Sequence, residues 1–116
     1  MTPARQMNVV KVRDVVKMLH GDNPPKLRPG VVIKIESGIA WVSFGTGQAR
    51  AAGVAFVEVP HRARRTKAMG LTKKTRFHAG DDYRSFSVRE VAVAPRLGTT
   101  PDLVFAELRQ LHKKGE

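Results

Sequence analysis

The chain has 116 residues, 41% of them apolar and none cysteine, and it carries a formal net charge of +11 at pH 7. This suits a single domain over 1–116 with a true core, and it excludes a disordered tail, a disulfide scaffold and thiolate metal sites. The charge points to a polyanionic partner, nucleic acid ahead of an acidic protein, and the lack of any long apolar run points to the cytoplasm and away from a membrane.

Residues 1–7 read as a loose leader. Val12, Val15, Val16 and Leu19 fit helical spacing as well as a strand. A strand from Asp14 to Leu19 is expected, because the β-branched density is high and the turn-rich "HGDNPPK" follows. His20 to Lys26 reads as a loop, since two prolines and a glycine interrupt any regular element. Val31–Ile35 and Ile39–Phe44 are expected as the arms of a hairpin turning at Glu36-Ser37-Gly38.

Val54 to Val59 reads as a further strand, ended by Pro60. From His61 to Lys74 the chain reads as loop, and here the charge concentrates. No Asp or Glu lies between Glu58 and Asp81, a window that holds Arg62, Arg64, Arg65, Lys67, Lys73, Lys74 and Arg76. Charge gathered in this way makes a face that can follow a phosphate backbone. Thr75 to Ala79 is expected as a short strand and Asp81-Asp82 as solvated loop. Ser85 to Ala94 is expected as a longer strand, although its alternation slips at Arg89-Glu90.

A helix closes the chain. Thr100 can cap it, Pro101 suits its first position, and Asp102 meets the positive end of its dipole. Val104, Leu108 and Leu111 form an apolar stripe, and Lys113, Lys114 and Gly115 end it. The expected class is mainly β (α+β): a small, strongly bent antiparallel barrel with a C-terminal helix packed on it.

Two strand ends carry unusual chemistry. Pro29 holds Arg28 in an extended conformation at a loop-to-strand boundary, and a guanidinium matches phosphate oxygens with paired donors. Thr46 stands between Gly45 and Gly47, just past the other strand end, where a hydroxyl and exposed amides can hold a phosphate oxygen. Gln48 adds an amide able to read a base edge. Taken alone, each feature also fits an ordinary surface arginine or a glycine turn. Together they are expected to lie as neighbours at the open end of one hairpin. His61 and His78 could act as acid–base groups but read as solvated or RNA-contacting, and His20 and His112 carry less weight still. The four histidines are scattered and have no cysteine partners, so no metal site is expected.

The ordered motifs "RDVVKML", "LRPGVVI", "FGTGQ", "AMGLTKKTRF" and "PRLGTTPDLVFAEL" resemble those of the PemK/MazF family of toxin endoribonucleases over nearly the whole length. The resemblance implies an SH3-like barrel that forms a homodimer and cleaves single-stranded RNA without a metal or other cofactor. It also implies silencing by a cognate acidic antitoxin. Arg28 and Thr46 match the family's catalytic pair, and Gln48, Arg62, Arg64, Arg65, Lys73, Lys74 and Arg76 would contact the RNA. A competing reading is a non-catalytic nucleic-acid-binding module or inhibitor, since "PGVVIKIESGIAWVSFG" also resembles the strand–turn–strand of KOW-type barrels. A nucleophile elbow and a phosphate-loop pattern are both missing, which leaves acyl-processing chemistry without support.

Overall fold

Ser37 and Gly38 both take positive φ (51° and 77°), the geometry that lets a two-residue turn match the twist of its strands. Around this turn stand the longest strands of the molecule. The computed structural model describes residues 9–21, 24–48, 53–60 and 64–113, so the expected leader at 1–7 lies outside the described residues. In chain order come β1 (Asp14–His20), β2 (Lys26–Glu36), β3 (Ile39–Thr46) and β4 (Phe56–Val59). A 3₁₀ helix (Arg64–Met69), β5 (Thr75–His78), β6 (Tyr83–Ser87), α1 (Val88–Ala92), β7 (Arg96–Thr99) and α2 (Asp102–Lys113) follow.

The strands form one curled, antiparallel half-barrel sheet in the order β4-β5-β3-β2-β1-β7, with β6 also paired to β3. The centre of this arrangement is β3. One of its edges pairs with β2. The other pairs with β6 from Ile39 to Ser43 and then with β5 at Gly45 and Thr46. Between the two partners, the Phe44 amide donates to the Asp82 carbonyl at 2.8 Å.

Val31 and Val32 are both fully buried, because each face of the sheet is covered. Val15, Val31, Ile33, Val57, Val59, Met69 and Phe77 pack with Phe105 and Leu108 of α2. Val16, Val32, Val42 and Phe44 pack on the other side with Val91 of α1 and Ala94. Burial on both faces explains the unbroken apolar run "VVI".

Several expectations are corrected. β2 starts at Lys26, so Arg28 lies inside a strand opposite Met18, not at a loop boundary. Proline is tolerated there because pairing with β3 extends only to Gly30↔Phe44. Pro29 therefore sits on a stretch with one partner, where a missing donor breaks no ladder bond. Thr46 likewise ends β3, where it pairs with Arg76. The expected loop at 61–74 contains the 3₁₀ helix, which buries Met69.

The expected strand Ser85–Ala94 divides at Ser87. Ser87 caps α1, its hydroxyl accepting from the Glu90 amide at 3.3 Å, and Val88 and Val91 face the core at helical spacing. Thr100 does not cap α2. Its hydroxyl is buried and has no hydrogen-bond partner among the described residues, while the first helical bond runs from the Phe105 amide to the Pro101 carbonyl at 2.9 Å.

The buried face of α2 is Phe105, Leu108 and His112, with Val104 and Leu111 beside it. His112 meets the Ser43 hydroxyl at 2.7 Å and stacks on Tyr83 with centroids 4.0 Å apart. Burial pushes its imidazole down to a pKa of about 4. Arg13 anchors the start of the same helix through an ion pair with Asp102. Among the described residues, no helix is long and apolar enough to cross a membrane.

Candidate active site

Beyond Gly30↔Phe44, β2 and β3 part. β2 stays with β1 toward Lys26, and β3 turns to β5. The wedge between the diverging arms is a cavity of about 340 Å³. Arg28 and Thr46 both line it, together with Lys17, Lys26, Gln48 and Lys73. The two residues thus line one cavity from opposite arms, across the gap where a ladder would have continued.

The backbone at Thr46 is set by its neighbours. A Cβ on Gly45 would collide with the Thr75 methyl and crowd the Phe77 ring, so only glycine lets β3 cross so close to β5. Thr46 is 8% exposed, and its hydroxyl oxygen accepts from the Gln48 amide at 3.2 Å. That bond closes the turn and leaves the hydroxyl proton free to be donated. Lys73 lies across this turn, its Nζ 3.4 Å from where a Cβ on Gly47 would stand.

The wedge gathers four cations, Lys17, Lys26, Arg28 and Lys73, around one concavity. Arg13 pairs with Asp102, Lys34 with Glu36, Arg76 with Glu58 and Arg96 with Asp14. Among the described residues, Lys17, Lys26, Arg28 and Lys73 line the cavity with no carboxylate partner, and no carboxylate lines it. Four cations around one concavity concentrate positive potential there.

A second, wider groove of about 820 Å³ adjoins the first, and Lys26, Arg28 and Gln48 belong to both. Its wall holds a pair that sequence reasoning missed. His20 Nε2 lies 2.9 Å from Asp82 Oδ1, and the two side chains are 11% and 7% exposed. The imidazole also stacks on Phe44, with centroids 4.3 Å apart and planes 5° from parallel. The Asp82 carboxylate accepts from Nε2, which fixes the ring orientation. Asp82 was expected in solvated loop and is instead buried, held beside β3 by the Phe44 amide. No local motif links positions 20 and 82. The only signal is that both stand where a strand begins or ends, where functional side chains concentrate.

Other expected contacts are distributed less simply. Arg76 is the cross-strand partner of Thr46, but its guanidinium bonds Glu58 at 2.9 Å and lies over the Phe56 ring. Lys74 is exposed next to Lys73. Arg64 and Arg65 belong to the 3₁₀ helix by backbone, while their side chains, Arg62 and His61 lie outside the described residues. His78, expected as solvated, is 2% exposed and packs near Phe56. Among the described residues, no three His, Asp or Glu side chains gather as metal ligands do.

Comparison with protein-family models, with curated proteins and with solved structures finds no match for this chain. The functional reading therefore rests on the wedge, its four cations and the adjoining His–Asp pair.

Proposed function

We propose that this protein is an endoribonuclease of the PemK/MazF toxin type, an mRNA interferase that cuts single-stranded RNA without a metal and is held in check by an acidic antitoxin. The observation that carries the reading is the convergence of Arg28 and Thr46 on one cationic cavity whose wall continues into the His20–Asp82 pair.

The chemistry follows from what each group can do. The 2′-hydroxyl of one nucleotide attacks the adjacent phosphorus, its oxygen forming a new P–O bond as the P–O5′ bond breaks. Negative charge grows on the non-bridging oxygens, and Arg28 with the Thr46 hydroxyl stabilises it. The guanidinium scarcely deprotonates, so it is an electrostatic catalyst and not a base. His20, oriented by Asp82, is the group suited to take the 2′-proton or return one to the leaving 5′-oxygen. The products are a 2′,3′-cyclic phosphate and a 5′-hydroxyl end.

Lys17, Lys26 and Lys73 would hold the phosphates on either side, and Gln48, which lines both compartments, carries an amide that can read a base edge. An acidic antitoxin segment would compete for the same four cations.

The test is incubation of purified protein with an RNA pool in EDTA, followed by end mapping. Discrete cuts with 5′-hydroxyl ends support the proposal. RNA retention without cutting would replace it with a non-catalytic binding module on the same fold.

A further inference from the structure

One exposed feature next to this site has no role in the chemistry above. Phe56 on β4 is 46% exposed, and it is the one aromatic side chain counted as exposed among the described residues. It lies on an edge strand whose other face, Val57 and Val59, is buried in the core. The Arg76 guanidinium carbon stands 4.6 Å from the Phe56 ring centroid, and the Arg76 Nε bonds Glu58 at 2.9 Å.

Its position relative to the wedge is set by register. Thr46 pairs with Arg76, and Arg76 pairs with Glu58, so these three residues form one row across β3, β5 and β4. Phe56 pairs with His78, which lines the wider groove. Strand spacing is about 4.8 Å and the two-residue offset along β4 adds about 7 Å, so Phe56 stands roughly 12 Å from Thr46, at the margin of the groove that starts at Arg28.

The local charge decides what this place can take. Glu58 already neutralises Arg76, and its carboxylate would repel a phosphate. A flat aromatic ring layered with a guanidinium offers two π-type surfaces and no net charge. That combination accepts the face of an unpaired base, while the four bare cations nearby accept its phosphates.

We propose that Phe56, braced by Arg76, is a stacking platform for one unpaired base of the bound strand, reached as the strand leaves the wedge through the wider groove. Arg76 then serves a base and not the backbone. The inference rests on the single-strand RNA reading above.

The experiment measures binding by fluorescence anisotropy with a labelled 2′-O-methyl oligonucleotide, which cannot be cut because the attacking hydroxyl is blocked. Phe56→Ala, its fold checked by thermal melting, is expected to weaken binding roughly 5- to 100-fold. The slope of log affinity against log salt should stay unchanged, because stacking releases no counterions. Phe56→Trp should restore affinity, and oligonucleotide should quench its fluorescence beyond any change in the wild type, whose single tryptophan is Trp41. A Phe56→Ala affinity within twofold of wild type would overturn the platform alone, as would a Phe56→Trp variant as weak as Phe56→Ala. A wild-type protein that binds no single strand would overturn both the platform and the RNA reading.

Discussion

His20 and Asp82 are 62 residues apart in sequence and 2.9 Å apart in space. A histidine packed on Phe44 and oriented by a carboxylate is positioned for proton transfer in a way that a solvated histidine is not. His20→Ala is therefore expected to slow RNA cleavage by about 100-fold or more, with binding little changed. Asp82→Asn should cost less, because it loosens the ring without removing it. Cleavage by His20→Ala at the wild-type rate would remove the pair from the mechanism. The sequence showed Arg28, Thr46 and Gln48 because each sits beside a Pro or Gly that marks a special backbone. It did not show Asp82, whose burial comes from a tertiary contact with the Phe44 amide.

At the level of elements, the hairpin of β2 and β3 was legible because apolar, β-branched runs flank the turn residues Glu36-Ser37-Gly38. The 3₁₀ helix and α1 were not. Ser87 and Glu90 form a capping pair at S-x-x-E spacing, yet the valines around them carry strand propensity, and that prior obscured the cap. In α2 the apolar stripe placed the helix correctly but missed His112 as a core residue. His112 is neutral in the fold because burial lowers its pKa from 6.5 to about 4. An unfolded chain binds that proton more readily between these values. Its contribution is thus intact above pH 6.5 and is lost as the pH falls toward 4. The loss should be about 2 kcal/mol between pH 6.5 and 4.5. Urea melts of wild type and His112→Gln at both pH values check this, since the variant should lack that part of the acid sensitivity. Equal losses in the two proteins would show that the helix does not depend on a neutral imidazole.

For the whole molecule, the net charge of +11 raised the expectation of an anionic partner but not where the charge would act. The window 58–81 drew attention as a block, whereas the fold sends only part of it to the wedge. Lys73 lies across the turn at Gly47, Arg76 is neutralised by Glu58, and Lys17 and Lys26 arrive from β1 and β2. If Lys17, Lys26, Arg28 and Lys73 meet three or four phosphates, log affinity for a single strand should fall with log salt at a slope of about −2 to −3. A flat response would detach the cationic wedge from RNA binding. The most direct test of the account is single-turnover cleavage of RNA by wild type and Arg28→Ala at saturating protein in EDTA. The account predicts a rate at least ~100-fold lower for Arg28→Ala, with affinity reduced less than tenfold. Cleavage by Arg28→Ala at the wild-type rate would contradict it.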